Sequence, residues 1–539
     1  MSSTDVNIIQ DQAHDSSLCL RGDRGYSHAC REIANLEREA DVTSKKLAEI
    51  FERLANAKSK ANHIRSTMLA KLPNEILSLI FCEAWSAVDP SPRERDRFHY
   101  YEKQQEETRL SVALLVAGVC QKWRAIALAL PHLWADVRIF IHRQKGDRAL
   151  SVLRDIMKRS KRAGLTIRLF SPPNGDTMQI GRTDDALAIL QQEAQRWRSL
   201  EVSVPHMDVL HLFEPRMDLS LVHSLYVHSN HNGRSIFLGF PLWKDKNLRP
   251  QRVMFDKFIM SNVKISWDRV THVVANQFTI DQAMTVIRSA PLLTSLELME
   301  PDEIREARTL YSPNFVHENL QRVTYLATGR CANGAKSIFS FNVFPALKVV
   351  DYHTRLSSEE DSFLDHLIRN KPPIQELKLH GSPYRSYYVV AALEAISSTL
   401  VKLDFGPCED DFEDSEYDDL FDVLAAFNSF PPPSNDDIDS NDDQERFLPH
   451  LESLRFSSVW PFGWDRVPRF FGLPTDPHRR PLKEFIFDDY YGNETIIPMK
   501  YLFALVGCRK YGFVVRSWKC NDLIQESLNY HISARTTSS

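Results

Sequence analysis

Several features are scarce in this chain of 539 residues, and each absence narrows the chemistry to be expected. The eight cysteines lie far apart with no C-x-x-C pair, so the sequence predicts neither a disulfide framework nor a cysteine-based zinc site. Glycine is limited to 18 residues, and no phosphate-binding loop, dinucleotide fingerprint, G-x-S-x-G elbow or paired His-Glu zinc motif is present. The sequence therefore predicts a non-enzyme without cofactor or metal.

Long apolar runs are also missing. The longest, Val112–Cys120, is far too short to span a bilayer. The first residues have no basic start followed by an apolar block, so no signal peptide is expected. We therefore expect a cytoplasmic or nuclear protein without a membrane partner.

The net charge of −5 hides an uneven distribution. The segment Asp404–Glu445 holds 16 acidic residues and no lysine or arginine, and removing its charge leaves +11 on the rest. Such a mild excess makes a nucleic-acid partner unlikely on physical grounds. The acidic residues, with Pro431–Pro433, predict a disordered insert over 406–446. It is interpreted as a solvated excursion, with docking of a basic partner as the alternative.

An apolar residue recurs at alternating spacings of three and four along residues 30–68, which predicts a coiled-coil helix. Only Thr43 is polar among these positions. Pairing with a second chain, as in a coiled-coil dimer, and packing on the chain's own next domain both remain open. The positions are Ile33, Leu36, Ala40, Thr43, Leu47, Ile50, Leu54, Ala57, Ala61, Ile64 and Met68.

A compact helical block is predicted next, over 69–135. Pro73 suits the first turn of a helix, and Glu75 favours its positive end. The charged, proline-containing segment 86–108 is predicted to be an inserted loop. A second helix is expected from Arg109, with Val119 and Trp123 at helical spacing.

A loose repeat fills much of the remaining chain. Each copy is a short stretch of alternating apolar residues after a proline or a helix, and copies from 292 to 400 start about 26 residues apart. This period fits one strand and one helix per unit, stacked into a curved parallel sheet. Weaker copies are at 197–204 and 222–227. The clearest are at 291–298, 345–350, 373–379, 399–404, 449–456 and 481–487.

Residues 72–134 resemble an F-box. Three pieces occur in order, and the arrangement is similar to fungal F-box proteins in which a coiled coil precedes the box and degenerate leucine-rich repeats follow. The pieces are Leu72-Pro73-x-Glu75-Ile76-Leu77-x-x-Ile80-Phe81, Val119-Cys120-x-x-Trp123-Arg124 and Pro131-x-Leu133-Trp134.

The resemblance implies an α/β protein with a coiled-coil helix, a small three-helix F-box and an irregular leucine-rich-repeat-like solenoid at 136–520. The polar, patternless residues 1–29 predict a disordered tail, and residues 521–539 are predicted to form a C-terminal tail. The resemblance also implies a substrate-recognition adaptor that docks the Skp adaptor, reaches a cullin through it, and binds an unknown protein target on its repeats. The alternatives are a scaffold without a ubiquitin role and a purely structural protein. The implied adaptor contacts are Leu72, Pro73, Ile76, Leu77, Ile80, Val119 and Trp123.

Overall fold

The computed structural model describes most of the chain with gaps. The described residues are 24–65, 71–87, 109–140, 147–170, 183–203, 218–228, 248–256, 263–301, 315–327, 332–354, 362–381, 384–406, 418–426, 447–458, 463–472, 480–489, 496–517 and 521–537. The chain divides into two compact units, with the boundary between Trp134 and Ala135.

The first unit is helical. Its elements are α1 (Arg24–Arg65), α2 (Asn74–Ala87), α3 (Arg109–Val119), α4 (Gln121–Ala129) and a 3-10 turn at Pro131–Trp134. Residues 24–29, which the sequence analysis placed in a disordered tail, belong to α1. The second helix expected from Arg109 is in fact two helices, because Cys120 has an extended backbone (φ −158°, ψ 172°) and its Sγ accepts a hydrogen bond from the Trp123 backbone N–H at 3.5 Å.

The second unit alternates strands with helices or irregular connections. Its strands are β1 (Asp136–Phe140), β2 (Leu165–Phe170), β3 (Trp197–Ser203), β4 (Ser224–His228), β5 (Arg252–Asp256), β6 (His272–Asn276), β7 (Ser295–Met299), β8 (Phe315–Val316), β9 (Arg322–Ala327), β10 (Asn342–Val343), β11 (Val349–Thr354), β12 (Glu376–His380), β13 (Lys402–Gly406), β14 (Ser453–Ser458), β15 (Glu484–Asp489) and β16 (Val514–Ser517). Its helices are α5 (Asp147–Ser160), α6 (Thr183–Gln191), α7 (Ile280–Ser289), α8 (Ala332–Phe341), α9 (Ser362–Asn370), α10 (Ser386–Ala395), α11 (Asp418–Ala426), α12 (Val467–Phe471), α13 (Met499–Arg509) and α14 (Leu523–Thr537), and a 3-10 turn lies at Ala194–Arg196.

Fourteen of the described strands form one parallel sheet in which each strand pairs with its neighbours in chain order. Only the short strands β8 and β10 lie outside it, pairing with each other. Parallel neighbours require a crossover between them, which the helices and loops supply. The predicted α/β class with a parallel sheet is confirmed.

Buried aliphatic side chains in fixed register explain this stacking. A unit such as Leu293, Leu296 and Leu298 places one apolar residue before the strand and two on the same side of it, and all three are at most 1% exposed. The pattern returns at Leu347, Val350 and Tyr352, likewise buried. Because parallel strands align residue with residue, Leu296 and Val350 lie in one column across the sheet. Each copy therefore covers the apolar layer of the copy before it.

The acidic insert is only partly described, and one prediction about it is wrong. Residues 418–426 form α11, in which Leu420 and Leu424 are at most 1% exposed, so this part of the predicted disordered segment is ordered. Four apolar residues in two turns suffice to attach the helix to the core. Residues 407–417 and 427–446 lie outside the described part of the chain, as do 88–108 of the predicted inserted loop.

The predicted tail at 521–539 is also corrected. It contains α14, whose Leu523 and Ile524 are each 1% exposed. The Ser527 hydroxyl accepts a hydrogen bond of 2.9 Å from the backbone N–H of Ile497, which ties the helix to the segment before α13. The second unit therefore extends into this helix.

His366 on α9 is a buried histidine whose protonation we expect to destabilise the second unit. Its imidazole is fully buried beside Phe339 and Phe344, and its Nδ1 lies 3.1 Å from the Phe339 carbonyl oxygen. Desolvation lowers the pKa of His366 from 6.5 to about 4, although the hydrogen bond to Phe339 opposes the shift. As the pH falls from 6.5 towards 4, the His366 imidazole is therefore protonated in the unfolded chain but stays neutral in the folded chain.

We expect this difference to remove about 3 kcal/mol of stability across that pH window, with the contribution fully present above pH 6.5. Urea unfolding midpoints at pH 7 and pH 4.5 test the expectation. In the His366→Phe variant the midpoint should fall less between the two values than in the wild type. Equal falls in both proteins would show that His366 does not cause the acid sensitivity.

Candidate docking surface on the helical unit

The start of α2 is held in place by hydrogen bonds on both sides of Pro73. The Lys122 ammonium of α4 donates to the Leu72 carbonyl at 2.9 Å, and the Leu77 backbone N–H donates to the Pro73 carbonyl at 3.2 Å. Glu75 lies in the first turn, where a carboxylate complements the positive helix end. The first residues of the motif are thus fixed against α4.

The interior of the block is filled by one face of each helix. Leu77 and Phe81 of α2 are at most 1% exposed, and the Phe81 ring lies 4.9 Å from that of Trp123. Trp134 is 1% exposed, and its Nε1–H donates to the Ala127 carbonyl at 2.9 Å. The buried indole is therefore paired, as an indole N–H in a core requires.

Large aliphatic side chains also lie on the outside of the block. On α2 they recur at spacings of three and four, and on α3 two of them are four residues apart, so each helix carries an apolar stripe exposed to solvent. Together we call these side chains the docking surface. They are Ile76, Leu79 and Ile80 on α2 and Leu114, Leu115 and Val119 on α3, with exposed fractions from 37% to 65%.

The structure separates the predicted contact residues into three groups. Ile76, Ile80 and Val119 belong to the docking surface, and Pro73 is exposed beside it. Leu72 and Trp123 are half-buried. Leu77 is fully buried, so its prediction as a contact residue is corrected to a core role.

Three residues of the docking surface were not predicted as contact residues from the sequence. Leu79, Leu114 and Leu115 are its most exposed members, at 62%, 55% and 65%. The signal was present, because apolar residues at 76, 77, 79, 80 and 81 occupy more of α2 than one buried face needs. Which of them point outwards depends on how α3 and α4 pack, and that required the structure.

Neither a model of a known protein family nor a curated protein matches this chain.

The described residues hold no group of three or more histidine, cysteine, aspartate or glutamate side chains placed to bind a metal ion. Within the same part of the chain, no helix has the length and apolar character needed to cross a membrane. The docking surface itself has no titratable side chain among its six members. Its arrangement suits burial against another apolar surface.

The second unit offers a different surface. It is the face of the sheet opposite the buried side chains such as Leu296 and Leu298. Two neighbouring pairs of uncharged side chains are half-buried on this face, Tyr226 and Met254 on β4 and β5, and Met299 and Leu326 on β7 and β9. Each pair forms a small apolar area, and Glu297 of β7 and the paired His228 and Asp256 of β4 and β5 lie on the same face. Such an area can accept a side chain or segment of another molecule.

Further charged residues lie on strands β11 to β14. His380 Nε2 lies 3.1 Å and Arg455 Nη1 lies 3.8 Å from the Asp404 carboxylate, and Lys378 Nζ lies 3.7 Å from Asp351. A Cβ on Gly406 would collide with the His380 ring, so glycine leaves room for that ring beside β13. The sheet face thus presents charges of both signs together with small apolar areas.

Proposed function

We propose that this chain is the substrate-recognition adaptor of a Skp–cullin–F-box ubiquitin ligase, with no catalytic residue of its own. The helical block with its docking surface would be the F-box that binds the Skp adaptor. The sheet of the second unit would be an irregular leucine-rich-repeat array that binds a protein target.

The main support for this proposal is the docking surface. Six large aliphatic side chains stay exposed although the block has an aromatic and aliphatic interior. Full burial of one such side chain contributes roughly 1.5–3 kcal/mol, so a partner that covers several of them gains enough to bind. Ile76, Leu79 and Ile80 lie on α2, which begins within the Leu72-Pro73-x-Glu75-Ile76-Leu77 motif that resembles the F-box start.

The repeat supports the target-binding half. Buried residues at 293, 296 and 298 follow the L-x-x-L-x-L spacing of leucine-rich repeats, and the first residues of successive copies at 320, 347 and 374 are 27 residues apart. Each strand then adds one row to an extended sheet face. Such surfaces bind protein partners through many modest contacts.

The mechanism would be proximity. A target held on the sheet face and a conjugating enzyme carried by the cullin would belong to one complex, so the effective concentration of target lysines rises without a new catalytic group. Ubiquitin would pass from the conjugating enzyme to the target. The chain itself binds and positions.

We expect a Leu79→Asp, Leu115→Asp variant to lose the Skp adaptor and the cullin. An aspartate in the middle of an apolar interface would be desolvated without a partner, and we expect binding to fall by about 100-fold or more. Affinity capture of the tagged full chain from cells, followed by quantification of adaptor and cullin, measures the loss.

A matched control is Val152→Asp on α5, which is 50% exposed and lies in the second unit. This variant should capture both proteins as the wild type does. Capture of adaptor and cullin by the double variant at wild-type levels would contradict the assignment of the docking surface.

The alternative is an interaction scaffold that binds a partner through its repeats without any ubiquitin role. The sheet face would serve either function. Absence of the cullin from wild-type captures, with another protein retained, would favour the scaffold.

A further inference from the structure

The long helix α1 presents an apolar stripe to solvent. Its stripe consists of the heptad positions a and d counted from Ile33, and the large members among the described side chains are 43% to 59% exposed. These are Ile33, Leu36, Leu47, Ile50 and Leu54. Phe51, at 59% exposure, lies beside the stripe.

The contact that α1 makes with the helical block leaves this stripe uncovered. Gln121 of α4 donates a hydrogen bond of 3.3 Å to the Asn56 side chain. Asn56 is at position c of the heptad, outside the stripe. An amphipathic helix with its apolar seam exposed over more than three heptads needs another helix to cover it.

The charges that flank the stripe change sign along the helix. At positions e and g, which border a coiled-coil seam, the first half of α1 carries only acidic charges and the second half only basic ones. The acidic residues are Glu32, Glu37 and Glu39, and the basic residues are Lys46, Arg53, Lys58, Lys60 and Arg65.

This sign change discriminates between the two ways of pairing two copies. In a parallel pair in register, each g residue meets the e residue five positions later in the second copy, so Glu32 meets Glu37 and Arg53 meets Lys58. Those pairs repel. In an antiparallel pair the acidic half of one helix lies along the basic half of the other, so Glu32 and Glu39 approach Lys60 and Arg53.

Side-chain sizes agree with the antiparallel orientation. When Thr43 of one copy lies opposite Leu47 of the other, Leu36 lies opposite Leu54 and Ala40 opposite Ile50. Small residues then face large ones, which fills the seam evenly. The three alanines of the stripe are accommodated because each meets a larger or equal partner in this register.

We propose that α1 pairs with α1 of a second copy of this chain in an antiparallel coiled coil, which makes the protein a homodimer. The pairing does not depend on the docking surface. It would join two copies of the chain and, with them, two target-binding sheets.

The test is the mass of the full chain in solution, measured by sedimentation at low salt, for the wild type and two charge variants. The wild type should sediment at twice 62.2 kDa. In a Glu32→Lys, Glu37→Lys, Glu39→Lys variant every flanking charge is positive, so the dimer should weaken by about 10-fold or more and recover partly at high salt.

A second variant reverses all eight flanking charges, adding Lys46→Glu, Arg53→Glu, Lys58→Glu, Lys60→Glu and Arg65→Glu. The antiparallel pair should be restored in it, because acidic and basic halves again face each other. A parallel pair predicts instead that all three proteins associate alike, since like charges face each other in each. A monomeric wild type, or equal association of the three proteins, would overturn the proposal; far-ultraviolet circular dichroism checks that α1 stays helical.

Discussion

Replacing Leu77 by alanine should destabilise the helical unit by about 3 kcal/mol, whereas Ile80→Ala should change its stability by less than about 1 kcal/mol. Leu77 is fully buried, so truncation leaves a cavity among α2, α3 and α4. Ile80 is 45% exposed and loses little packing. The two residues are only about 60° apart around one helix, so the comparison tests where the buried face of α2 ends.

Amide hydrogen exchange over residues 74–87 measures both effects locally. Exchange of the α2 amides should accelerate strongly in Leu77→Ala and stay near wild type in Ile80→Ala. Fast exchange in both variants would mean that Ile80 is a core residue, and the docking surface would then be too small for the role proposed for it.

Replacing Arg480 by methionine should destabilise the second unit by about 3–5 kcal/mol. The guanidinium is fully buried and donates to three backbone carbonyls, those of Leu424, Phe447 and Leu448, at 3.0–3.2 Å. Its burial lowers the pKa of Arg480 to about 9, so the hydrogen bonds offset a substantial desolvation cost. Methionine fits a similar volume but leaves the three acceptors without these donors, each at a cost of about 1–3 kcal/mol.

The position of Arg480 explains why the effect should be large. Leu424 lies near the end of α11, just before residues 427–446, and Phe447 and Leu448 follow that segment. One side chain thus joins the chain on both sides of residues 427–446. Unfolding of the wild type and Arg480→Met in guanidinium chloride measures the difference in stability. The control is Arg516→Met, which replaces a half-exposed arginine on β16. A change in Arg480→Met no larger than in the control would contradict this account.

The strands that the sequence predicted are those with regular apolar spacing. The copies at 291–298, 373–379 and 481–487 overlap β7, β12 and β15, although each strand starts three or four residues after its proline. The proline and the first apolar residues after it precede the strand instead. Two apolar stretches between the copies, 363–368 and 389–396, overlap α9 and α10.

Other strands gave no such signal. β5 and β6 are five residues each, and no Pro-x-Leu precedes either of them. Their place in the sheet is decided by the neighbouring strands, which supply hydrogen bonds and buried columns on both sides. Tertiary context therefore outweighed local pattern for these elements.

Only part of the docking surface was predictable from the sequence, because tertiary packing decides which apolar residues are exposed. A helix with apolar residues at 76, 77, 79, 80 and 81 must leave some of them outside, and spacing alone does not say which. The break at Cys120 turns α4 relative to α3, and this places Trp123 against Phe81. Only the packed structure assigns Leu77 to the core and Leu79 to the surface.

Titration of a purified Skp adaptor into the full chain, followed by calorimetry, tests the central claim most directly. We expect one adaptor per chain with a dissociation constant below about 1 μM for the wild type, and at least about 100-fold weaker binding for Ile80→Asp, whose folding is checked by circular dichroism. No heat of binding with the wild type, or equal affinity for both proteins, would contradict the claim that this surface docks the adaptor.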